Sequence, residues 1–163
     1  MKMKIQMLAM MFIAVLAFSA CSDDDDNDGI KVPEALSQAL TTKYPSATHV
    51  EWSQKGAFYV ADCRIDGHDA DVWYNAEAQW QLTETEILWN DVPGTVQTSF
   101  INSEYGTWAR EDIDLLEYPL EPMVYVIEVE KGKTEYQLFY SEEGNLIGEP
   151  KDVTGKDDTH WPK

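Results

Sequence analysis

Chemistry needs particular side chains at particular spacings, and histidine is the first place to look. The chain has three: His49, His68 and His160. None stands four residues from another, as the paired ligands of a helical zinc site do. His68 lies close in sequence to Cys63, Asp66 and Asp69, a set that could hold a metal or activate a thiol. The alternation around Cys63, described below, instead puts it on the buried side of a strand, where cysteine acts as a small hydrophobe. Carboxylate pairs such as Glu84 with Glu86 and Glu142 with Glu143 have the composition of acid–base pairs. In a chain with 30 acidic residues such pairs arise by chance and read as solvated faces. Asp24, Asp26, Asp28 and Gly29 begin like an EF-hand calcium loop, but its twelfth position is Ala35 and Pro33 falls inside it. There is no glycine-rich phosphate loop and no nucleophile elbow. The reading is of a protein that is not an enzyme, with no catalytic residue, no metal and no cofactor. The alternative is an unrecognised hydrolase acting on periplasmic or extracellular polymers.

The N-terminus carries an address. Lys2 and Lys4 precede an apolar run from Ile5 to Ala17, and Ser19 and Ala20 lead into Cys21. Charged, apolar and small residues in that order form a secretory signal, and the apolar run is too short to span a bilayer. Residues 1–20 are therefore expected to be a lipoprotein signal peptide, with Cys21 as the lipid anchor and the chain's only membrane attachment. Residues 21–30 hold an aspartate run that repels itself and should form an extended tether. The run resembles the acidic signal that sends lipoproteins to the outer surface of some Gram-negative bacteria. The expected location is the outer membrane, with display on the cell surface.

Charge narrows the partners. Thirty acidic residues face 12 basic ones, for a net charge of -18. Nucleic acid needs the opposite sign, so it is excluded as a partner. A protein or peptide, identity unknown, is the expected ligand. Cys63 is the one cysteine besides Cys21, so an acylated Cys21 leaves no intrachain disulfide.

Behind these residues stands a pattern that recurs. Val32-Pro33 returns as Val92-Pro93, and each opens a helical periodicity. Leu36, Ala39 and Leu40 share one helix face, and so do Val96, Ser99 and Phe100. Phe58 to Tyr74 alternates on both sides of Asp66-Gly67, a strong hairpin signal. Met123 to Tyr140 repeats the pattern around Glu130 to Lys133, offset by 64 before the turn and 66 after it. Shorter strands are expected around Thr48 to Trp52 and Thr107 to Leu116. "NAEAQW" and "SEEGNL" each read as a turn into one more strand. The expected class is α+β: two tandem units, each a helix packed on an antiparallel sheet of about four strands. The first unit covers 31–90, the second 91–153, and 154–163 is a polar, loose tail.

One face of each hairpin, with Cys63 on it, is almost wholly apolar and should lie under the helices. The other face should meet water. It carries Phe58, Val60, Arg64 and Trp73 in the first unit and Val124, Val126 and Phe139 in the second. Aromatics on a solvent face rimmed by charge have the composition of a protein-binding surface. These seven residues are the candidate binding surface.

Val32 to Trp52 ("VPEALSQALTTKYPSATHVEW"), the Asp-Gly hairpin and Val72 to Trp80 ("VWYNAEAQW") together resemble the β-lactamase-inhibitor-like, PepSY-like family. The resemblance spans roughly Ile30 to Val153. In the second half Ser103 to Arg110 lacks the Tyr-Pro step, and Asp112 to Pro122 is a longer connection. It implies a small exported bacterial protein, often a lipoprotein, with structural rather than catalytic motifs and an inhibitor-like or peptide-binding role.

Overall fold

The computed structural model describes residues 30–155 and 161–162. The expected signal, the Cys21 anchor and all of the tether but Ile30 lie outside the described residues, as do most of the tail positions.

Two helices form where the prolines direct them. Helix α1 spans Glu34–Lys43 and α2 spans Gly94–Asn102. Pro33 and Pro93 hold the capping positions at ψ 136° and 140°, so the chain enters each helix from an extended backbone. Leu36 and Leu40 lie one turn apart and are buried, as are Val96 and Phe100. Pro45 disfavours helical geometry in the residue before it, and α1 stops at Tyr44 with φ -127° and ψ 80°.

The strands are β1 (Thr48–Lys55), β2 (Phe58–Ile65), β3 (His68–Tyr74), β4 (Trp80–Glu86), β5 (Ala109–Glu117), β6 (Val124–Lys131), β7 (Thr134–Ser141) and β8 (Lys151–Asp152). They form one antiparallel sheet in the order of the chain. The first hairpin has the expected register, with Ile65 opposite His68 across Asp66-Gly67. The second closes with Lys131 opposite Thr134. Both turns thus have two residues, and Ile65 to Lys131 and His68 to Thr134 are the same step of 66. The expected pair of extra turn residues does not exist. Faces were unaffected because an error of two residues preserves the alternation.

The larger correction concerns the class. The fold is mostly β, and the two halves are not separate helix-on-sheet units. Strand β4 pairs directly with β5, through Thr83–Glu117, Glu84–Leu116, Thr85–Leu115 and Glu86–Asp114. That pairing removes the exposed edges that two independent sheets would each present here. A buried polar knot ties the seam. The Tyr44 hydroxyl lies 2.8 Å from Thr83 Oγ1 and 3.3 Å from Glu117 Oε2, and Trp80 Nε1 donates to Thr83 Oγ1 at 2.8 Å. Burial holds the Tyr44 hydroxyl well above its ordinary pKa. The residue that ends α1 therefore also joins the two halves.

Both helices pack on one sheet face. Under α1 lie Ala61, Cys63, Val72 and Tyr74, and under α2 lie Ile113, Tyr125, Ile127, Val129, Leu138 and Tyr140. Burying each large apolar side chain contributes about 1.5–3 kcal/mol. The fourth strand expected after "SEEGNL" is reduced to a single bridge between Tyr140 and Leu146, and β8 follows with two residues.

Candidate binding surface on the helix-free face

Seven residues were expected on a water-facing side of the sheet, and the structure places all seven on the side away from the helices. It does not leave the apolar ones in water. Val60 and Trp73 are 1% exposed, Val126 0% and Phe139 8%. Phe58 and Val124 are half-buried, and Arg64 stays exposed. The reason is a third apolar cluster, which adds Leu82 and Leu116, with Tyr118 and Trp161 packed against it. The seam creates it. Val60 lies opposite Trp73 and Trp73 opposite Leu82, while Leu116 faces Val124 and Val126 faces Phe139. Pairing β4 with β5 makes these a continuous apolar row.

Cations rest on that row. Lys55 Nζ stands 5.0 Å from the Trp73 ring centroid, and Lys151 Nζ 4.3 Å from that of Phe139. Their stems cover apolar surface while the charged ends reach water. Phe58 meets Trp73 edge-on, with centroids 6.3 Å apart. The tail, expected to be loose, supplies Trp161, whose ring lies 5.5 Å from that of Trp73.

Next to the apolar row the same face is acidic. Asp62, Asp69, Asp71, Glu84, Glu86 and Asp114, with Ala70 and Trp161, line an open groove of about 190 Å³. Lys55 pairs with Asp71 at 3.5 Å, and Arg64 with Asp69 at 3.1 Å. Burial raises the Asp71 carboxyl above its ordinary pKa, Lys55 opposes this, and the Asp62 and Glu84 charges add to it. The groove therefore has a negative potential that its own cations only partly offset. Sequence reasoning placed Asp62, Asp69 and Asp71 on one face of the first hairpin as a charged rim, but read Glu84 and Glu86 as an unconnected pair and did not join Asp114 to them. The continuation of that parity onto Glu84 and Glu86 of β4 was the available signal.

The Cys63 and His68 set does not come together as a site. Cys63 is 1% exposed under α1, and burial, aided by the Asp62 and Asp71 charges, pushes its thiol up to about 11. His68 Nδ1 lies 3.2 Å from the Glu86 carbonyl oxygen. Among the described residues, no group of three or more potential metal ligands gathers.

Residues 57–148 match the family model described as "Putative beta-lactamase-inhibitor-like, PepSY-like". The chain belongs to this family. The PepSY-like assignment agrees with solved structures. A BLIP-like protein from Bacteroides fragilis is 45% identical, with a TM-score of 0.78 over 86% of this chain and 99% of that one. A DUF2874 family protein from Bacteroides ovatus is 28% identical, with a TM-score of 0.77 over 82% of this chain and 96% of that one. A Bacteroides eggerthii chain, described among "putative periplasmic proteins", is 27% identical, with a TM-score of 0.73 over 78% of this chain and 93% of that one. No curated protein matches the chain. The eggerthii description is consistent with export of this PepSY-like chain, and among its described residues no helix is long and apolar enough to cross a membrane.

Proposed function

We propose that the protein is a non-catalytic, inhibitor-like binding module of the bacterial envelope, and that its helix-free face takes a basic protein or peptide. The acidic groove on that face is the observation that supports this reading. Asp62 and Glu84 stand cross-strand on either side of the half-buried Asp71, and an arriving cation is favoured by charges gathered in this way. The inhibitor-like family supports the absence of catalysis. The finer location we propose is a lipid anchor at Cys21 in the outer membrane, with the domain displayed outward on the aspartate run.

Affinity capture from an envelope extract tests the reading. A soluble domain is compared with an Asp69→Lys/Glu86→Lys variant and with a control carrying Glu34→Lys on the outer side of α1. Loss of a captured protein in the first variant and retention in the control is the expected result. Equal capture by all three proteins would show that the helix-free face is not the binding surface.

A further inference from the structure

We propose that the helix-free face holds a slot for an indole ring carried by a cationic polypeptide segment, and that Trp161 fills this slot in the free protein. The inference rests on the reading of this face as the binding surface. The slot has three walls. Trp73 is its floor, tilted 38° to the Trp161 ring with the centroids 5.5 Å apart. Lys55 Nζ stands 4.0 Å from the Trp161 centroid. Glu84 Oε2 accepts a hydrogen bond from Trp161 Nε1 at 2.9 Å. Indole nitrogen is a donor only, so a carboxylate is its fitting partner, and charge makes that bond stronger than a neutral one.

Trp161 holds this place as a ligand would. It belongs to no helix or strand and remains half-buried. Its polar atom bonds to a wall of the acidic groove rather than to the sheet backbone. Its neighbours in sequence include Lys163, two positions on, so the chain's own occupant carries a cation close to the aromatic ring. The groove around the ring is lined by six carboxylates, which favour positive charge on either side of an inserted indole. A partner segment with Lys or Arg flanking Trp satisfies slot and groove together. It must also compete with a ring whose covalent attachment gives it a millimolar-range local concentration. If Trp161 fills the slot nine-tenths of the time, a competitor's affinity falls about tenfold.

The test uses Lys-Trp-Lys amide, titrated calorimetrically into the purified wild-type domain and a Trp161→Ala variant, with thermal midpoints measured in parallel. The variant should bind the peptide about tenfold more tightly than wild type, and peptide should raise its midpoint. Lys-Ala-Lys amide should show no such preference, and adding Glu84→Gln should return the affinity to about the wild-type level. If Trp161→Ala does not fold cooperatively, Trp161→Phe retains a ring without the donor and should still bind more tightly than wild type. Equal affinity of wild type and the folded variant, or equal binding of the two peptides, overturns the slot. Either result leaves the surface reading in place if Asp69→Lys/Glu86→Lys still abolishes binding. Peptide binding that survives this charge reversal overturns the surface reading as well.

Discussion

Replacing Trp73 separates a sealed face from an open one. Trp73 is 1% exposed, and its ring is enclosed by Phe58, Trp161 and Lys55. Truncating such a ring to alanine costs about 3–5 kcal/mol, from lost transfer energy and the cavity left behind. At roughly 4 °C per kcal/mol for a domain near this size, the thermal midpoint should fall by roughly 12–20 °C. Phenylalanine should behave differently. Trp73 Nε1 is buried without a hydrogen-bond partner among the described residues, and an orphaned donor costs about 1–3 kcal/mol. Trp73→Phe removes that cost along with part of the ring, so its net loss should stay within about 1.5 kcal/mol. Urea unfolding followed by far-UV circular dichroism measures both variants without relying on the deleted fluorophore. A loss below about 1 kcal/mol for Trp73→Ala would refute the closed apolar row. A loss for Trp73→Phe well above about 1.5 kcal/mol would mean that Nε1 has a partner in solution.

Four further outcomes follow from particular residues. The Cys63 thiol ionises near 9.0 when unfolded and near 11 when folded, so between these values the unfolded chain binds fewer protons and stability falls as pH rises. The thiol's contribution is present in full below about pH 9, and about 2–3 kcal/mol of it is lost by pH 11, so Cys63→Ala should flatten the alkaline decline of urea-derived stability by that amount. The Tyr74 hydroxyl is buried without a partner among the described residues, so calorimetry should find Tyr74→Phe neutral or stabilising by up to about 1 kcal/mol. Gly144 has φ 85°, and an added Cβ would stand 2.6 Å from the Thr95 carbonyl oxygen, so Gly144→Ala should cost about 2–4 kcal/mol in chemical denaturation, against about 1 kcal/mol for Gly56→Ala, whose φ is 63° in open space. Metabolic labelling with a fatty-acid analogue should mark the wild-type chain and not Cys21→Ala, and label on the variant would remove the proposed anchor.

The features legible in the sequence were those carried by neighbouring residues. Val-Pro followed by periodic Leu36 and Leu40 specifies a helix start and its buried stripe, because proline, capping and 3.6-residue periodicity all act within a few positions. Asp66-Gly67 specifies a turn because Asp66 and Gly67 can adopt the φ values of 53° and 94° found there. The unread features depend on pairing between distant strands. "WQLTETE" and "AREDIDLLE" each offer few apolar residues to the helix-free side, and neither reads alone as part of a core. Their pairing places Leu82 and Leu116 between Trp73 and Val126, and a face expected to meet water becomes buried. Pairing of β3 with β4 sets Glu84 beside Asp71, and the seam then adds Asp114 opposite Glu86, which makes one groove of scattered acids. Trp161 was the overlooked signal: a lone tryptophan in a polar tail has a large apolar area to bury. Here it lies on Trp73, where the apolar row meets the acidic groove. One long-range pairing thus accounts for the continuous sheet and the closed apolar row, and it completes the acidic groove with Asp114.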